Sequence, residues 1–222
     1  MRLNCDLSKL SIIDCNNILT LVDIHVSSIA SQPPVGSSGR FTGDEDGETG
    51  DDDGLVLFKV LPFERKDVWD FKWASDDPEC FAVMEKAKLF LFQKWSEPPE
   101  DPIPCGGYIL RFSGMEVAMV MLDDVIASAD LPLRGKDLIG TFQTARLRHV
   151  NDVIENQGLK EAFIHIKNST RTTNNTPQSK LLWKKLADAA LEALDFKTAQ
   201  RAFVERRDLR GLDFVKRLRD LD

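Results

Sequence analysis

The sequence has 222 residues, a length suited to one or two domains, and 36 acidic against 29 basic residues give a formal charge of −7. Asp44, Glu45, Asp46, Glu48, Asp51, Asp52 and Asp53 lie in one stretch without Lys or Arg, and the rest of the chain balances at 29 against 29. A globally basic nucleic-acid binder is thereby excluded as the default, and no apolar run approaches the roughly 20 residues that cross a bilayer as a helix.

The N-terminal stretch Met1 to Asp6 has neither an apolar core nor a small-residue cleavage site, so no secretory signal is read there. Leu10 to Asp14 and Ile18 to Val22 read as short strands. Asn16-Asn17 between them is a tight-hairpin signal, because Asn tolerates positive φ. Ser27 to Gly54, rich in Ser, Pro, Gly and acid, is expected to be a disordered insert. Strands resume at Leu55 to Val60. Asp67 to Gln93 then holds three short antiparallel strands: one with Val68, Phe71 and Trp73, one over Cys80 to Met84, and one over Leu89 to Phe92. Ser96 to Pro104 contains four prolines and is read as a linker without strand. A further pair, Tyr108 to Phe112 and Val117 to Leu122, turns at Ser113-Gly114. Short strands at this spacing predict a sandwich, a barrel or a propeller over residues 1–128, with 129–145 as linker.

Over 146–222 the period becomes helical. Leu147, Val150, Val153 and Ile154 share one face, and Leu159, Ala162, Phe163 and Ile166 another. After the polar stretch Asn168 to Thr176, Thr176 suits an N-cap and Pro177 a first helical turn. Leu182, Trp183, Leu186, Ala187, Ala190, Leu191 and Leu194 repeat at i, i+3, i+4. Asp195 caps a helix with Ala199, Ala202 and Phe203 inward, and Leu212, Val215, Leu218 and Leu221 mark a last one.

Trp183, Leu186, Ala187, Ala190, Ala199 and Phe203 fall on the tetratricopeptide spacing, in which small residues let two antiparallel helices approach. Ala187 and Ala190 replace the usual Gly and Tyr, and Gly211 stands where Pro is expected. The strands around Trp73 are laid out like a WD40 blade, although the Gly-His and terminal Trp-Asp signatures are absent and Trp69-Asp70 sits in the wrong strand.

Catalytic chemistry finds little support. His149 and His165 are expected to be surface or satisfied helical residues, and Cys5, Cys15, Cys80 and Cys105 to be buried or half-buried free thiols in a reducing cytosol. No C-x-x-C occurs, Gly106-Gly107 has no Gly-Lys-Ser/Thr partner, and the acidic stretch fails the calcium-loop template at Thr49 and Leu55. No catalytic, cofactor or metal residues are assigned. From Lys197 to Arg219 the helices are locally basic. Arg201, Arg206, Arg207, Arg210, Lys216, Arg217 and Arg219 read as a solvated face or as a docking surface for an acidic partner or anionic lipid.

Three segments, KDVWDFKWASDDPECFAVMEKAKLFLF, CGGYILRFSGMEVAMVMLDDVI and LLWKKLADAALEALDFKTAQRAFVERRDLRGLDFVKRL, resemble in order the family of the WD-repeat subunit of intraflagellar transport complex A. The resemblance spans nearly the whole chain except the insert. It implies a multidomain β-then-α chain: incomplete WD40-type β-propeller blades, from the end of a second propeller, followed by the start of a tetratricopeptide-like α-solenoid. It further implies a non-enzymatic scaffold of retrograde ciliary transport, cilium assembly and delivery of membrane proteins to cilia. The implied partners are other complex A subunits, with cargo membrane proteins and the dynein-2 motor reached indirectly, at the cilium, its base and the cytoplasm. No nucleic-acid partner and no transmembrane segment are expected. Family members are far longer, so the chain is expected to be a fragment or truncated form. A coatomer-type vesicle-coat subunit shares this plan, and a small hydrolase or transferase using an Asp/His group is the reading from another class.

Overall fold

The computed structural model describes residues 1–24, 58–127, 135–171 and 176–220. The acidic insert and residues 55–57 lie outside them. Three antiparallel meanders come first, each in chain order. The first is β1 (Arg2–Leu3), β2 (Lys9–Ile13), β3 (Leu19–Ile24) and β4 (Phe58–Arg65). The second is β5 (Val68–Trp73), β6 (Phe81–Glu85), β7 (Lys88–Phe92) and β8 (Ile103–Pro104). The third is β9 (Gly107–Ser113), β10 (Glu116–Met121) and β11 (Ile139–Gln143). The turns are chemically local. Asn17 closes the β2–β3 hairpin at φ 60°, and Gly114 and Met115, both near +60°, fit the primed turn between β9 and β10.

The sheets stack face to face, and β6 shows why. Phe81, Ala82, Val83 and Met84 are all fully buried, although strand side chains alternate between faces. Phe81 and Val83 join Leu19, Leu21, Leu61 and Phe63 of the first sheet; Ala82 and Met84 join Ile109, Phe112, Val117 and Met119 of the third. The middle sheet thus has no solvent face. Around Phe81 the rings of Phe63, Phe71, Trp73 and Phe92 lie at centroid distances of 4.7–5.5 Å.

Helices follow: α1 (Leu122–Ala127), a single 3-10 turn at Gly135–Leu138, then α2 (Ala145–Asn156), α3 (Leu159–Ser169), α4 (Pro177–Glu192), α5 (Phe196–Arg206) and α6 (Leu209–Arg219). The Thr176 side chain accepts from the Ser179 N–H, and Asp195 from Thr198. Those caps satisfy N–H groups that a helix start leaves without partners. Leu147, Val150, Val153, Ala162, Phe163 and Ile166 pack in one cluster with the α4–α5 hairpin. Met115, at the tip of the β9–β10 turn, enters that same cluster. The Thr144 N–H also donates to the Met115 carbonyl at 3.0 Å, so the helices are bonded to the third sheet.

Three expectations need correction. The segment 129–145 is not linker throughout. Ile139–Gln143 pairs with β10, Val117 opposite Phe142, while 128–134 lie outside the described residues. Gly140 sits inside this strand, where its missing side chain admits Met121, whose Cγ and Sδ would sit 3.2 Å from a Cβ. In the proline-rich stretch, Ile103–Pro104 does form a two-residue strand, at the sheet edge, where Pro needs to donate no ladder bond. Leu194 belongs to no apolar face. It lies beyond the end of α4 at φ 56° and is exposed.

Candidate functional site

The repeat positions read from the sequence converge. Trp183, Leu186, Ala187, Ala190, Ala199 and Phe203 are all buried in the helical cluster, and Trp73 is buried in the sheet cluster. Ala187, Ala190, Ala199 and Ala202 are fully buried and let α4 and α5 pack closely. Trp183 reaches back to Phe163 of α3, ring centroids 5.1 Å apart, so it joins successive hairpins. Gly211 lies over Phe203: a Cβ there would fall 2.4 Å from the ring Cδ1. A residue without a side chain thus brings α6 onto α5, where the repeat pattern led one to expect proline.

Trp73 also donates its indole N–H to the Arg2 carbonyl at 3.0 Å, tying the first sheet to the second. Beside it lies a residue whose role the sequence did not disclose. Asp70 is buried and serves all three sheets. One oxygen pairs with Arg2 at 3.1 Å and accepts from the Phe71 N–H at 2.9 Å; the other accepts from the Ile109 N–H at 2.8 Å. A register irregularity between Val68 and Asp70 interrupts the alternation of β5 at this carboxylate. A buried Asp in a strand was the available signal.

Of the seven basic positions, Arg206, Arg207 and Arg210 line one concavity together with Lys180, and Arg201 faces another. Arg201 stacks on Phe163, its Cζ 4.2 Å from the ring centroid. Arg206 pairs with Asp208 at 2.9 Å, and Arg217 with Asp213 at 2.7 Å. Arg207 takes the left-handed C-cap of α5. On α6, at about 100° per residue, Arg219 lies about half a turn around the axis from Arg210, and Lys216 is well away from Arg217.

The histidines meet. His149 on α2 and His165 on α3 approach Nε2 to Nε2 at 3.1 Å. The His165 Nδ1 is buried without a hydrogen-bond partner. A lone pair costs less there than an orphaned N–H, so we assign His165 the Nε2–H form, donating to His149. Burial, then His149, then Arg146 push the His165 pKa below its ordinary value. Protonating His165 would also place a second N–H on the buried Nδ1, where no acceptor meets it. The folded state therefore resists protons that the unfolded chain accepts. The His165 contribution is complete above about pH 6.5, the ordinary value, and is lost as pH falls through the lowered folded value. Melting temperatures measured at pH 7.5 and 5.5 should drop on acidification in the wild type and drop less in His165→Leu. Equal drops would show that His165 is not the source.

The thiols fall into two kinds. Cys80 and Cys105 are buried, but Cys5 and Cys15 are exposed, which corrects the expectation of burial for all four. Burial pushes the Cys80 thiol far up, and Gln178 of α4 donates to its sulfur at 2.8 Å, so it is a poor nucleophile and a strut of the sheet–helix junction. Among the described residues no cluster of three or more His, Cys, Asp or Glu could hold a metal ion, and no helix is long and apolar enough to cross a membrane.

A family model described as the second beta-propeller of WDR35 matches residues 1–142, ending within β11. The chain is 38% identical over 221 residues to WD repeat-containing protein 35 of Rattus norvegicus and 37% identical over 221 residues to that of Mus musculus. It is covered completely in both comparisons but spans only 16% of either relative's length. Stacked antiparallel meanders in the matched region, and identity that continues through the helices, place this chain in the WD repeat-containing protein 35 family.

Proposed function

We propose that the chain acts as a non-enzymatic scaffold segment of intraflagellar transport complex A, in retrograde ciliary transport, cilium assembly and delivery of proteins to cilia. The observation that carries this reading is the similarity to WD repeat-containing protein 35 across 221 residues, sheets, junction and helices together. The surface suits assembly as well. Phe58 and Val60 on β4, and Leu209 and Phe214 on α6, are exposed apolar side chains. Its partners would be other complex A subunits, with dynein-2 and membrane cargo reached through them, at the cilium, the ciliary base and the cytoplasm. The test is affinity purification of the tagged chain from ciliated cells, with imaging of the tag. Recovery of complex A subunits and signal at the ciliary base are expected. Recovery of coatomer instead would move the chain to the vesicle-coat class, and recovery of neither would mark a segment without independent function; both overturn the proposal.

A further inference from the structure

Between α3 and α5 runs a groove that joins residues the sequence keeps apart. Its α3 wall carries Phe163 and Lys167, and its α5 wall carries Lys197, Arg201, Val204 and Glu205. Both walls follow i, i+4 spacing, which puts these side chains on one face of each helix. The Arg201 Cζ lies 4.2 Å and the Lys167 Nζ 5.8 Å from the Phe163 ring centroid. Lys167 pairs with Glu205 at 3.3 Å. Lys197 and Arg201 have no ion-pair partner among the described residues, so the groove holds two uncompensated positive charges. Val204, half-exposed, leaves an apolar strip beside them.

We propose that this groove binds an acidic peptide segment of a partner protein, with a carboxylate on the edge of Arg201 and an apolar side chain against Val204. Three features select that occupant. Stacking on Phe163 fixes the guanidinium plane, so its N–H edge is already oriented for two parallel bonds to a carboxylate and less side-chain freedom is lost on binding. Lys197, one turn before Arg201 on the same helix, supplies a second cation for a neighbouring acidic residue. The cations lie in a concavity between two helices and share it with Glu205. An extended chain can enter there, whereas a flat lipid surface or a nucleic-acid backbone calls for a protruding or uninterrupted basic track. The proposal is independent of the ciliary assignment, since it rests on the groove alone.

Fluorescence anisotropy on the 222-residue chain tests it, with a labelled peptide of alternating Glu, Asp and Leu and a counterpart carrying Lys in place of the acids. The acidic peptide should bind, the basic one should not, and added salt should weaken binding. Arg201→Glu and Lys197→Glu should each weaken it about tenfold or more. Arg201→Lys, which keeps the charge but loses the stacked fork, should weaken it less. Both positions are exposed, so the fold should persist, which circular dichroism checks. Arg217→Glu on α6 is the control and should leave binding unchanged. Equal binding of the two peptides, no binding of either, or equal losses for Arg217→Glu and Arg201→Glu would overturn the proposal. So would Arg201-dependent binding to phosphatidylserine vesicles in the absence of peptide binding, which would assign the groove to membranes.

Discussion

Replacing Phe81 by Ala should lower stability by about 4 kcal/mol and the melting temperature by about 10 °C. The ring is fully buried and touches aromatic residues from both the first and second sheets: Phe63, Phe71, Trp73 and Phe92. Deleting it removes the transfer free energy of a large side chain and leaves a cavity between two sheets that cannot collapse without separating from the third. Part of the loss is geometric, because offset and edge-on ring pairs add to what buried area alone contributes. Phe58→Ala is the matched control. That ring sits on β4 but is exposed, and its loss should cost no more than about 0.5 kcal/mol. Urea titration of the two variants gives the comparison, and similar midpoints would mean that the stacked sheets are not held by this aromatic cluster.

The second large effect is expected at Asp70. Asp70→Ala should cost about 3 kcal/mol, because it leaves the Ile109 and Phe71 N–H groups without their acceptor and Arg2 without its carboxylate. Arg2→Ala should cost less. Its side chain is about half exposed, so its charge is screened and its removal strands fewer buried groups. The distinguishing measurement is amide hydrogen exchange. Ile109, on the third sheet, should exchange faster in Asp70→Ala but remain protected in Arg2→Ala. Protection of Ile109 in both variants would show that the carboxylate does not link the second and third sheets.

Both residues mark where local reading stops. The apolar runs of β5, β6 and β7 were legible because a strand shows its burial within five or six residues. The helices were legible through the i, i+3, i+4 spacing of Leu182, Trp183, Leu186 and Ala190. Thr176 and Asp195 were legible as caps because a cap acts on N–H groups two or three residues away. In the sequence Asp70 is only half of a Trp-Asp dipeptide in the wrong strand. Its partners Arg2 and Ile109 are far away in sequence, Ile109 by 39 positions, and only stacking brings them together. β11 lies in the segment read as linker, and what makes it a strand is its pairing with β10, with Met121 packed over Gly140. Of the candidate partner-facing residues, Arg201 was named, but Phe163 and Lys167, which make its groove, lie on another helix.

The sequence by itself determined the order of strands then helices, the buried repeat positions, the caps and the family, because each depends on residues within a turn or two of one another. The tertiary structure alone decided which sheet each face of β6 covers, that Met115 joins sheets to helices, and that His149 meets His165. It also decided that Arg206, Arg207 and Arg210 share one concavity while Arg201 faces another. Those outcomes depend on how elements pack across tens of residues. Periodicity states which side of an element is apolar, and not which other element will cover it.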